Sequence, residues 1–136
     1  MRTLADAHDG VLRLSTGDAP TSFIDTRDIA AVAVEALLGQ PAGREYALTG
    51  PESLTFAQVA SVCQGGAVPI HCYEAVSDAE CRKAALALGW RPDYVDVLSG
   101  LFATIAAGYA ADVTDDVAQA TGHQPRSLTE FMQGLG

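Results

Sequence analysis

Basic residues are scarce in this sequence. Lys and Arg number eight against 17 Asp and Glu among 136 residues, for a formal net charge of −9. A chain this acidic repels phosphate backbones and anionic lipid headgroups unless a local basic patch intervenes. The densest basic pair is Arg82-Lys83, so the sequence predicts no nucleic-acid partner and no membrane partner. Cysteine is scarcer still. Cys63, Cys72 and Cys81 form an odd set without a C-x2-4-C pair, so no zinc site is predicted. They read as reduced thiols of a cytoplasmic protein, used as small buried hydrophobes. No run of about 18 uncharged apolar residues is present to span a bilayer. The nearest, 95–111, is interrupted by Asp96 and reads as a core helix. The opening MRTLADAHDG carries Asp6 and Asp9 where a secretory signal needs an apolar stretch. The expectation is a cytoplasmic protein with one domain over residues 1–136.

What the chain does have is a globular composition, 49% hydrophobic and 18% charged. VLRLS (11–15) alternates apolar and polar positions and predicts a short half-buried strand. A Gly-Pro turn leads to SFID, a second extended piece. Ile29, Val32, Ala33, Ala36 and Leu37 then mark one face of a helix. Thr26 or Asp28 can cap its first turn, and Gly39 and Pro41 end it. REYALTG (44–50) reads as a strand and 54–64 as a helix opened by a Thr55/Gln58 capping box. Residues 68–76 read as extended. Ser77/Glu80 opens a helix over 78–88 that Gly89 stops. Pro92 begins a long helix to about Ala111, with Leu98, Leu101, Phe102, Ile105 and Tyr109 as its buried stripe. Thr114 opens a short helix ended by Gly122, and Ser127/Glu130 opens the last. The order β-α-β-α-β-α-α-α-α defines the expected class: α/β, helix-dominated, with a few short, partly parallel strands.

Three stretches, FIDTRDIAAVAVEAL, GREYALTGPESLTFAQVASV and AGYAADVTDDVAQATGHQPRSLTEF, occur in that order. Together they resemble the C-terminal, substrate-binding half of NmrA-like proteins, which are atypical short-chain dehydrogenases that bind NAD(P)H. The resemblance covers roughly residues 10–133. The segment between Val62 and Val68 is shorter than the family has there, which implies a shortened second helix. In that family the first half is a Rossmann domain, whose glycine-rich turn sets the cofactor pyrophosphate on a helix N-terminus. This sequence contains no G-x-G-x-x-G; its adjacent Gly65-Gly66 lacks the strand–turn–helix context. Tyr-x-x-x-Lys is absent too, since Gly50, Ser77, Leu98 and Val113 stand four residues after the tyrosines. The resemblance therefore implies no cofactor site on this chain, and NAD(P)H only if a separate Rossmann partner supplies one. It also implies that the D-I-A-x-x-A helix, made to pack on a Rossmann sheet, exposes an Ala-rich face here. Such a face predicts a homo-oligomer or a Rossmann-containing partner chain.

Candidate site residues are weighed against plainer roles. Phe23, Arg27, Trp90, Tyr94 and Phe102 are candidates for binding a small apolar or aromatic molecule; the resemblance places Trp90 to Tyr94 near the family's substrate. An aromatic stripe at helical spacing also serves a core. His71, Tyr73, Asp25 and Arg27 are the first candidates for catalysis. His71 and Tyr73 share a strand face by period-two spacing and could move a proton. Asp28 can simply cap its helix, with Arg27 pairing a surface carboxylate. His8 and His123 fall in loops. Asp112, Asp115 and Asp116 cluster without the turn and bidentate Glu of a calcium loop, so no metal is predicted. Three functions remain open: a binding lobe without its own NAD(P)H site; an enzyme, as one chain of a split oxidoreductase or an oligomer catalysing cofactor-free isomerisation or cyclisation; or a fragment of a longer dehydrogenase.

Overall fold

A computed structural model of the chain describes residues 9–39, 43–64, 66 and 68–134. His8, Pro41 and Gly65 lie outside them. Four short strands and six helices follow in the order β1 (Val11–Leu14), β2 (Thr21–Ser22), α1 (Thr26–Leu38), β3 (Ser53–Leu54), α2 (Phe56–Cys63), β4 (Cys72–Ala75), α3 (Asp78–Ala87), α4 (Pro92–Ala106), α5 (Asp116–Thr121) and α6 (Leu128–Gln133). The class is the expected helix-rich α/β.

β1 pairs with β4 in parallel, Val11 opposite Cys72 and Leu14 opposite Ala75. The intervening chain carries helices, as a parallel crossover requires. β1 obeys period two: Leu12 and Leu14 are buried, while Arg13 faces water and bridges Asp9 and Glu74. Around that inward face gather Ala60 and Cys63 of α2, Ile70, Cys81 of α3, and Phe102 and Ile105 of α4. Burial raises the Cys63 and Cys81 thiols above their ordinary range. Cys72 is exposed, contrary to the expectation of three buried cysteines, because it opens β4 on the side away from the core.

The three capping boxes form as read. Thr55 with Gln58, Ser77 with Glu80 and Ser127 with Glu130 each exchange side chain for backbone amide at a helix start. The Ser77 hydroxyl and amide hold the Glu80 carboxyl below its usual range. α1 is capped instead by Asp25, one residue before Thr26 and three before Asp28, because its carboxylate accepts from the Arg27 amide at 2.8 Å. α4 stops at Ala106 rather than near Ala111: Gly108 takes a φ of 86° and the next residues are turn. Its buried side is Val95, Phe102 and Ile105, whereas Leu101 and Tyr109 are exposed.

Residues 44–50 form no strand, which corrects the reading of REYALTG. They lie without a ladder partner among the described residues. Their contacts run to the other side of the chain, where Ala47 donates to Asp116 at 2.7 Å and Thr49 accepts from the Thr114 amide at 2.9 Å. Gly50 abuts the start of α1 so closely that a Cβ there would sit 1.8 Å from the Phe23 carbonyl oxygen. β2 and β3 form a separate antiparallel pair beside this junction.

Candidate functional site

A cavity lies where β2 runs into α1. Phe23, Ile24, Asp25 and Thr26 form one wall; Arg126, Ser127, Leu128 and Phe131 form the other. Its volume is about 290 Å³, close to the lower bound of small-molecule sites, roughly 300 Å³. The walls are almost wholly apolar, with Phe23, Ile24, Leu128 and Phe131 presenting rings and branched carbons.

Two ion pairs hold the walls in place. Asp28 is buried in the first turn of α1, and its carboxylate accepts from the Arg126 amide at 2.7 Å and from Arg126 Nη1. That tie spans 98 residues and fixes the start of α6 against the start of α1. Asp25 is the second anchor. Arg27 donates to it from Nε at 3.0 Å and Nη2 at 2.5 Å. These bonds, with the Arg27 amide, hold the Asp25 carboxyl down at about 2. Asp25 therefore remains ionised through the neutral range and has no proton to give there. Its lone pairs are spent on Arg27 rather than aimed into the cavity.

Of the residues singled out in the sequence, Phe23 and Asp25 line the cavity, and Arg27 is attached to it through Asp25. Trp90 and Tyr94 pack on each other with ring centroids 5.5 Å apart and planes tilted by 45°, at the α3–α4 turn. Phe102 belongs to the core. The Tyr73 hydroxyl donates to the Gly17 carbonyl at 2.8 Å and lies 3.0 Å from Thr16 Oγ1. His71 is exposed beside Gly10, whose carbonyl takes its amide proton at 2.9 Å. His71 and Tyr73 are thus absent from the cavity wall. Arg126, Leu128 and Phe131 line it and were not singled out. The Ser127 capping box placed their helix, but nothing local in the sequence gives its facing.

The described helices that follow strands do not offer a dinucleotide a free start. A pyrophosphate needs free amides at a helix N-terminus after a strand. The three helices that follow strands are each already capped by a side chain: α1 by Asp25, α2 by Thr55, α3 by Ser77. Two of those caps bring a carboxylate, Asp25 and Glu80, which would repel phosphate. Among the described residues no group of three His, Cys, Asp or Glu side chains could hold a metal ion. No described helix is long and apolar enough to cross a membrane.

No family model matches the chain. It is 35% identical over 124 residues to an uncharacterized oxidoreductase of Bacillus subtilis, YesF, and 34% identical over 124 residues to an NAD(P)H azoreductase of Xenophilus azovorans. Each alignment takes in 90% of this chain and 43% of the relative. Among solved structures, the fold matches an NADPH-dependent quinone oxidoreductase of Escherichia coli with a TM-score of 0.86 at 23% identity, over 97% of this chain and 49% of that one. A triphenylmethane reductase of Citrobacter sp. matches at 0.84 and 17% identity, over 97% of this chain and 46% of that one. The chain therefore spans less than half the length of these relatives. It is similar, along nearly its whole length, to one part of NAD(P)H-dependent oxidoreductases.

Proposed function

We propose that the chain is the substrate-side lobe of an NmrA-like reductase, holding a small apolar or aromatic molecule in the cavity between the starts of α1 and α6. The observation that carries this reading is the cavity itself: about 290 Å³, walled by Phe23, Ile24, Leu128 and Phe131, and braced by two buried carboxylates. The relatives named for azo and quinone substrates, both flat and largely apolar, support that ligand class. On this reading the lobe has no NAD(P)H site of its own, since the three helices that follow its strands, α1, α2 and α3, are each capped by one of its own side chains. The hydride donor belongs to a nucleotide-binding half, on the same or another polypeptide. The exposed apolar side chains of α1, Ile29, Val34, Leu37 and Leu38, are the surface such a half covers.

Within the lobe, Phe23 and Phe131 set ring contacts, and Arg126 closes one wall while Asp28 fixes its position. Their roles are to bind, orient and exclude water. Calorimetric titration with 1,4-naphthoquinone tests this. Saturable binding, weakened about tenfold by Phe131→Ala through lost apolar contact, is the expected result. Binding that ignores both Phe131→Ala and Phe23→Ala would place the ligand elsewhere.

A further inference from the structure

Three aromatic rings run in series from the cavity wall into the fold. Phe23 lines the cavity. Its ring meets that of Phe56 at 5.5 Å between centroids, with the planes at 87°, an edge-to-face pair. Phe56 in turn meets Tyr73 at 5.8 Å, with the planes 30° apart. All three are half-buried, and Phe56 and Tyr73 pack against the buried cluster around β1. The far end of the series is tied down. The Tyr73 hydroxyl gives its one proton to the Gly17 carbonyl at 2.8 Å. Thr16 Oγ1, fully buried and 3.0 Å from the same hydroxyl, is therefore the donor in that second contact. The middle is fixed as well, since Phe56 is the first residue of α2, directly after the Thr55 cap. The near end is held through its backbone: Gly50 packs on the Phe23 carbonyl with no room for a Cβ.

Of the three rings, only that of Phe23 belongs to a residue lining the cavity. Whatever Phe56 does for a ligand, it does through Phe23. An edge-to-face contact fixes a ring's plane as well as its place, because the positive edge of one ring seeks the negative face of the other. A side chain already fixed in plane need not be ordered when a ligand docks on it. We propose that Phe56 is a positioning residue for the cavity. It holds the plane of the Phe23 ring, so that the cavity selects flat, rigid aromatic ligands over flexible apolar ones of similar size. This rests on the cavity reading above and deepens it by naming what the site reads, which is ring planarity. A flat ligand makes its full contact only with a ring held in one orientation. A flexible chain adapts to the ring in any orientation and gains little from its being held.

The test is a double-mutant cycle read by calorimetric titration of the purified chain with 1,4-naphthoquinone and with 1-decanol. Phe56→Leu is expected to weaken naphthoquinone binding about fivefold and to leave decanol binding within about twofold. In a Phe23→Ala background the same substitution is expected to change neither, because its route to the ligand is gone. In a Phe131→Ala background the loss is expected in full. Phe56→Met keeps the apolar bulk without a ring plane and is read in the same way where Phe56→Leu does not fold. A loss that persists in the Phe23→Ala background, or one equal for both ligands, marks a general loosening of the fold and overturns the proposal. Naphthoquinone binding that is unchanged in Phe56→Leu but weakened by Phe23→Ala also overturns it, and leaves the cavity reading intact. Binding untouched by both Phe23→Ala and Phe131→Ala overturns the cavity reading itself, and this inference with it.

Discussion

On the β1–β4 side of the molecule, β1 sends Leu12 and Leu14 into a cluster closed by α2, α3 and α4, and eight residues there are buried together. On the α1–α5 side, Val32 and Val117 are buried, yet Leu37 and Leu38 stand 84% and 82% exposed. The two regions have similar sequences, both rich in Ala, Val and Leu. What differs is the number of layers present. The first region is a sheet covered by helices, which satisfies an apolar face. In the second, a helix apolar on several sides packs mainly on the short α5 and touches α6 only at its start. Its position rests instead on polar ties, Asp28 to Arg126 and Ala47 to Asp116.

The comparison can be broken most forcefully from the core side. Phe102→Ala removes a ring 7% exposed and is expected to cost about 3–5 kcal/mol, measured by urea unfolding. Asp28→Asn attacks the other region's anchor. It leaves Arg126 half-held, and because that guanidinium is partly in water the expected loss is smaller, about 1–3 kcal/mol, with weaker ligand binding as the cavity walls part. Acid sharpens the same point. Asp25 has its carboxyl pKa lowered by Arg27 from 3.8 to about 2. Its contribution is present in full above the unfolded value and is lost as pH falls from about 4 toward 2. The start of α1 should therefore loosen in that window, read as faster amide exchange at Arg27. The smallest effect is expected at Leu38→Ser. A side chain so exposed changes stability by no more than about 0.5 kcal/mol, while docking of the nucleotide-binding half proposed above would weaken.

Legibility in the sequence follows the same division. Local chemistry was readable: the three capping boxes, the Gly89 stop and the alternation of VLRL each depend on residues within a few positions. The strand at 44–50 was misread because a strand exists only where a second backbone pairs with it, and none of the described residues does. The cap fell on Asp25, one position before Thr26 and three before Asp28, and the Asp28 carboxylate is bonded to Arg126 instead. That pairing, and with it the cavity wall formed by Leu128 and Phe131, joins residues 98 positions apart. No periodicity or spacing within one element records such a contact. Leu101 and Tyr109 were assigned to the core by helical phase, yet among the described residues both stand exposed.

Native mass spectrometry of the purified chain with 1,4-naphthoquinone and NADPH offered in turn tests the central claim most directly. The account predicts a saturable quinone adduct, lost in Phe131→Ala, and no saturable NADPH adduct. Saturable NADPH binding by this chain alone, with no binding of the quinone, would contradict it.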